Sequence, residues 1–246
     1  MSEFQGLAAL VTGGCSGIGA ATATLLRASG AQVAVLDVAI DHAPDDVLAI
    51  KCDISDPRAV DEAVATAVAE LGGLDVLVNN AGIGAVGDIA QNEDAEWARV
   101  LDVNVTGIAR VTRAALDHLR RSPHAAVVNL CSAVAFIGVR QRALYSASKG
   151  AVHALTLAMA ADHAADGIRV NAVAPGTVDT PWVGRLLDGA EDREATARAL
   201  RQRQPLGRLV SAEEVARAVV GLASPGAGST TGAVVHVDGG MVSLRL

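Results

Sequence analysis

Aromatic side chains are nearly absent from this sequence: one tyrosine, two tryptophans and two phenylalanines in 246 residues. Its core must therefore be built from Ala, Val, Leu and Ile, which suits closely packed layers of helix and parallel sheet. Cysteine is scarce as well. Cys15, Cys52 and Cys131 are odd in number and far apart, with no CxxC pair and no His/Cys cluster. That argues against a disulfide framework and a zinc site, and fits a reducing cytosol. Positive charge is not in excess: 20 Lys and Arg stand against 27 Asp and Glu, for a formal charge of −7. A nucleic-acid binder needs a basic stripe to displace counterions from phosphates, and none dominates here. No apolar run reaches the roughly 18 residues that span a bilayer. The start, "MSEFQGLAALVTGG", lacks the basic region, long apolar run and cleavage site of a leader. The six histidines form no HExxH or similar ligand pattern. A cytoplasmic protein with no metal, membrane or nucleic-acid partner is expected.

What the chain does contain is a regular alternation. "LAALVT" (7–12), "QVAVLD" (32–37), "AIKCDI" (49–54), "LDVLVN" (74–79), "AVVNLC" (126–131), "IRVNAVA" (168–174) and "AVVHVD" (233–238) read as strands buried on both faces. Helix-length segments lie between them. Repeated β-then-α units imply right-handed crossovers, hence an α/β fold: a three-layer, doubly wound Rossmann-type architecture with a seven-stranded parallel sheet. One domain over 1–246 accommodates this length. Residues 177–210 break the alternation, being charged and Arg-rich, and read as a small helical lid over the substrate. The next helix begins "SAEE", where Ser211 and Glu214 stand at capping-box positions.

After the first strand, "TGGCSGIG" (12–19) leads into a helix. Glycines at Gly13, Gly17 and Gly19 permit a tight turn, close approach of backbone N–H groups to a pyrophosphate, and helix packing near the strand. The spacing is G-x-x-x-G-x-G, and a strand before, a helix after and an acidic residue about 20 positions on strengthen it. That residue, Asp37, ends the second strand. A carboxylate there accepts both ribose hydroxyls and repels a 2′-phosphate, favouring NAD over NADP. Asp53 ends the third strand and "NNAG" (79–82) the fourth, at the sheet edge where ligands bind. Asp53 is read as an adenine contact or as the cap of a helix starting near Asp56, two roles that can coexist.

Together "TGGCSGIG", "NNAG", the asparagine of "LDVNVTG", the serine of "NLCSAVA", "YSASK" and "NAVAPGTVDTP" resemble the short-chain dehydrogenase/reductase family over essentially the whole chain. The resemblance implies a catalytic set of Asn104, Ser132, Tyr145 and Lys149. It implies cofactor contacts at Gly13, Ser16, Gly17, Ile18, Gly19, Asp37, Asp53, Ile54, Asn80, Ala81 and Gly82. Further contacts are implied at Tyr145, Lys149, Pro175, Gly176, Val178 and Thr180. The residue chemistry agrees. Tyr145 and Lys149 stand i and i+4 on one helix face. A phenol titrates near 10, too high for efficient proton exchange at neutral pH, and a neighbouring ammonium together with the positive nicotinamide of the oxidised cofactor is expected to lower it. Ser132 would hydrogen-bond the reacting oxygen, and Asn104 would, by resemblance, hold a water that links Lys149 to solvent. The hydride passes to or from the cofactor. Homotetramers packed through 92–120, 143–165 and the C-terminal region are implied too.

For the substrate, "TVDTP", an Arg-containing segment and "RQPLGR" resemble the branch that oxidises short 3-hydroxy acids and keto-deoxy sugar acids. That implies an anion clamp of Arg142, Arg203 and Arg185, with Trp182 as a wall of the pocket or as packing onto the body. Two other readings stay open. A 3-oxoacyl-carrier-protein reductase usually draws on NADPH, which Asp37 opposes. A non-catalytic nucleotide sensor would have a broken catalytic set, and all four residues are present.

Overall fold

The computed structural model describes residues 3–244. Seven strands form one parallel sheet in the order β3-β2-β1-β4-β5-β6-β9. They are β1 (Ala8–Thr12), β2 (Gln32–Asp37), β3 (Leu48–Lys51), β4 (Val76–Asn79), β5 (Ala126–Leu130), β6 (Arg169–Pro175) and β9 (Val234–Val237). All seven expected strands are present. The third is displaced, ending at Lys51 rather than 54, because Asp53 turns back to accept the N–H and hydroxyl of Ser55 at 2.9 and 2.7 Å.

Alternation along each strand sends neighbouring side chains to opposite layers. Ala9, Val11, Val33, Val35, Val76 and Val78 face α1 (Gly17–Ala28) and α8 (Ala212–Ala223). Leu10, Ala34, Leu36 and Leu77 face α2 (Pro57–Leu71), α4 (Gly107–Leu119) and α5 (Ala143–His163). Small and branched side chains fill both layers, as the shortage of aromatics requires. Helix ends follow local chemistry. The Asp56 carboxylate accepts from the N–H groups of Arg58 and Ala59, with Pro57 in the first turn and Gly72 closing α2 in the left-handed region. Asp56, then, caps α2, and the cap alternative for Asp53 is set aside. Ser211 and Glu214 form the expected capping box on α8.

Between α3 (Asp94–Leu101) and α4, residues Asp102–Thr106 form a π turn within one continuous rod. Asn104 sits in that turn, which explains how a poor helix former is accommodated at mid-helix. Residues 177–210 contain α6 (Pro181–Asp188) and α7 (Arg193–Gln202) as expected. They also contain a short parallel ladder, β7 (Val178–Asp179) with β8 (Val210–Ser211), too short to leave a periodic signal. This ladder ties both ends of the segment together beside the carboxyl end of β6.

Candidate active site

A doubly wound sheet leaves a crevice at its carboxyl edge where the strand order reverses, here between β1 and β4. A cavity of about 910 Å³ occupies that edge. Thr12 closes its base. The Thr12 hydroxyl accepts the N–H groups of Asn80 and Ala81, both at 3.0 Å, and the Asn80 side-chain amide donates to the carbonyls of Thr12 and Gly13 at 2.9 and 3.0 Å. The first glycine loop and the "NNAG" loop are thereby one unit. Thr12 was not singled out by sequence, though its place before the glycines was a usable signal.

Gly13 has φ of +62°, and a Cβ there would stand 2.9 Å from the Asn80 amide. A Cβ on Gly19 would collide with the Gly13 carbonyl. Both positions therefore need glycine, one for its dihedral and the other for helix-to-loop contact. Ser16 stands at the N-cap of α1 but makes no side-chain cap bond. Its hydroxyl and the first N–H groups of α1 remain available to an anion. Asp37 is fixed at the end of β2: one carboxylate oxygen accepts the Cys15 N–H at 3.0 Å, the other the Ala39 N–H at 3.3 Å. The lining cations, Arg99, Arg142, Lys149, Arg185 and Arg203, come from α3, from α5 and the residue before it, and from the 177–210 segment, none from the loops flanking Asp37. A cradle without Cβ atoms, a helix N-terminus and a strand-end carboxylate fit a nicotinamide dinucleotide in chemistry and order.

Asp53, Ile54, Ala81, Gly82, Pro175, Gly176, Val178 and Thr180 also line the cavity, as do Ser16, Gly17, Ile18 and Asn80. Gly19 and Asn104 lie behind it. Asn104 is fully buried; its carbonyl oxygen accepts the Ile83 N–H at 2.8 Å, and its amide donates to the Ile83 carbonyl and the Ser148 hydroxyl at 2.9 and 3.1 Å. Its side chain is thus committed to fixing the strand-β4 loop and α5.

Ser132, Tyr145 and Lys149 meet at the far wall of the cavity. Ser132 follows β5; Tyr145 and Lys149 lie one turn apart on α5, with the ammonium 5.8 Å from the phenol ring centroid. Lys149 is 4% exposed and donates to the Leu130 carbonyl at 2.8 Å. Burial brings the Lys149 ammonium down to about 8. Burial pushes the Tyr145 phenol up to about 12, against a lowering by the Ser132 hydroxyl and the Arg142 charge. In the protein alone loss of hydration is larger than the help of neighbouring groups; the expected lowering also draws on the positive charge of an oxidised nicotinamide.

Arg142, Arg203, Arg185 and Trp182 line the same cavity. Arg142 is the most constrained. Its backbone pairs with Gly87, its Nη1 donates to the Ala85 carbonyl at 2.8 Å, and its guanidinium lies 5.8 Å from the Trp182 ring centroid. Burial and the nearby Arg203 charge hold it below the usual arginine range. No carboxylate within 4 Å pairs with Arg142, Arg185 or Arg203 among the described residues, whereas Arg193 and Arg208 are paired with Asp188 and Glu214. Ile83, Gly84 and Met241 are among the further lining residues that the sequence did not point to. Among the described residues no group of His, Cys, Asp and Glu could hold a metal ion, and no helix is long and apolar enough to cross a membrane.

A parallel doubly wound sheet with a dinucleotide cradle facing a Ser-Tyr-Lys cluster defines a class of nicotinamide-dependent oxidoreductases. A family model described as Enoyl-(Acyl carrier protein) reductase matches residues 13–242, and the chain belongs to the short-chain dehydrogenase/reductase family. It is 42% identical to the cis-4-hydroxycyclohexanecarboxylate dehydrogenase of Sinomonas cyclohexanicum over 253 aligned residues, covering 98% of each chain. It is 36% identical to 2-(S)-hydroxypropyl-CoM dehydrogenase 3 of Xanthobacter autotrophicus, covering 95% of this chain and 96% of that one. Among solved structures it resembles the ligand-free aldohexose dehydrogenase of Thermoplasma acidophilum, with a TM-score of 0.93 and 34% identity, covering 99% and 97% of the two chains.

Proposed function

We propose that the protein is an NAD-dependent dehydrogenase of a compact hydroxy acid, interconverting a secondary alcohol and a ketone. The observation that carries this reading is the meeting, in one cavity, of the Ser132, Tyr145 and Lys149 cluster with arginines that lack a carboxylate partner. A bound nicotinamide supplies the hydride acceptor or donor and, when oxidised, a positive charge beside the phenol. Ser132 donates a hydrogen bond to the substrate oxygen and holds it against Tyr145. In the oxidative direction Tyr145, as phenolate, takes the hydroxyl proton; in the reverse direction the phenol returns it. Lys149 helps bring the phenol into its ionised form, and Asn104 acts behind it by fixing Ile83 and Ser148. Asp37 selects NAD by accepting the ribose hydroxyls, with its carboxylate held by the Cys15 N–H. The substrate anion is received by Arg142, whose Nε and Nη2 donate to no protein group among the described residues, with Arg203 and Arg185 at the rim. The name of the Sinomonas relative, which carries a hydroxyl and a carboxylate, supports this class.

The test is turnover with NAD and NADP across hydroxy acids, sugars and neutral secondary alcohols, in wild type and Tyr145→Phe. Expected are a preference for NAD and for an acid, and loss of roughly 10²-fold or more in kcat in the variant, with NAD binding retained. In the oxidative direction kcat/KM should rise with pH, because the phenolate is the reactive form. Near-normal turnover by Tyr145→Phe would overturn the assignment.

A further inference from the structure

Gly84 and Trp182 both line the cavity and touch each other there. Gly84 follows Ile83, whose peptide N–H and carbonyl are both held by Asn104. Its Cα is therefore part of a fixed wall. Trp182 stands in the first turn of α6, near the start of the arginine-rich segment. The indole lies so close over Gly84 that a Cβ there would stand 2.6 Å from Cζ2 and 3.1 Å from Cε2. Arg142 completes the stack: its guanidinium is 5.8 Å from the indole centroid and donates to the carbonyl of Ala85, the residue after Gly84. Backbone, indole and guanidinium thus form one closed contact in the same wall system as Tyr145, which packs beside Ile83, Ala85 and Leu144.

We infer that the Gly84–Trp182 contact sets the size limit of the substrate, admitting a short chain on the carbinol carbon and excluding a long one. The inference rests on the dehydrogenase reading. The physical reason is that one side of the indole is seated on Gly84 with the Arg142 guanidinium beside it, while the rest of the ring stays exposed. A longer chain has to lift it, breaking aromatic packing and the guanidinium contact together. A glycine at 84 is what lets the ring seat at all. Any side chain there displaces the ring and opens the same space that deleting the ring would open. Gly84 and Trp182 are therefore one device, and changes at the two should not multiply.

The experiment measures kcat/KM with NAD for a four-carbon and an eight-carbon 3-hydroxy acid in wild type, Trp182→Ala, Trp182→Phe, Gly84→Ala and the Gly84→Ala/Trp182→Ala double variant. Trp182→Ala is expected to raise the long-to-short ratio by ~10-fold or more, the scale at which a few methylenes discriminate. Gly84→Ala should move the ratio in the same direction although it deletes no side chain. The double variant should match the larger single effect, and Trp182→Phe should stay near wild type. In a Trp97→Phe background, where Trp182 is the sole tryptophan, Gly84→Ala should also increase acrylamide quenching of its fluorescence. Turnover with an unchanged ratio in either alanine variant, multiplying effects, or unchanged quenching would each overturn the inference. Absence of NAD-linked turnover in wild type would overturn the dehydrogenase reading and this inference with it.

Discussion

Lys149 carries a charge that the fold has withdrawn from water, and its replacement by methionine isolates the energetic consequence. The native ammonium titrates at about 8, against an ordinary lysine near 10.5 in the unfolded chain. Below pH 8 both states are protonated and the native state bears the full penalty, about 3 kcal/mol at 1.36 kcal/mol per unit. Between pH 8 and 10.5 the unfolded chain binds more protons than the native one, so this group makes stability rise with pH. Tyr145 and the thiols of Cys15 and Cys52 act in the opposite sense. Their native values are raised, to about 12 for the phenol and about 11 for each thiol, so their contributions fall as pH climbs through 9 to 12. The difference between wild type and Lys149→Met removes that shared background. At pH 7 the methionine gains the ammonium penalty back but leaves the Leu130 carbonyl without its donor, a cost of about 1–3 kcal/mol. The two proteins should then lie within about 2 kcal/mol of each other at pH 7, the variant being equal or more stable. On moving to pH 10 the balance should shift by about 2–3 kcal/mol in favour of wild type. Urea unfolding of both proteins at several pH values between 7 and 10 gives this difference directly. A stability difference that stays constant across that range would refute the claim that Lys149 is buried as a perturbed cation.

Two further outcomes follow from the same geometry. Arg142→Ala should raise KM for the best acidic substrate roughly tenfold or more, through loss of a charged hydrogen bond, while a neutral alcohol of the same shape is little affected; steady-state kinetics on the pair decides it. Gly19→Ala should weaken NADH binding by roughly 30-fold, about 2 kcal/mol, because its Cβ collides with the Gly13 carbonyl and distorts the cradle; a fluorescence titration of NADH reads this.

The sheet was readable because most strands are short apolar runs punctuated by glycine or an acidic residue, and the site because its groups fall at strand ends. Two parts were hidden for physical reasons. The β7–β8 ladder has two residues a side, too few for a period to show. Gly84 carries no local signal, since its constraint is the ring of Trp182, nearly a hundred residues away in the chain. Asn104 was identified by motif, but its partners were not: they depend on a π turn that helix periodicity does not encode. The upward push on the Tyr145 phenol in the protein alone was hidden for a related reason. Sequence spacing puts a cation one turn away but says nothing about how much water the phenol loses.

The π turn at Asp102–Thr106 also divides the labour of one long rod. An α-helix advances 100° per residue, and the extra residue in a π turn offsets the helical phase by about that amount. On its N-terminal side Val100 packs with Leu144 and Ala85, next to the reactive wall. On its C-terminal side Val111, Ala115 and Leu119 pack into the layer beneath the sheet. The rod can thus turn one apolar stripe toward the chemistry and another toward the scaffold without a loop between them. A loop there would leave Asn104 on a mobile tether; the π turn keeps it anchored from both ends.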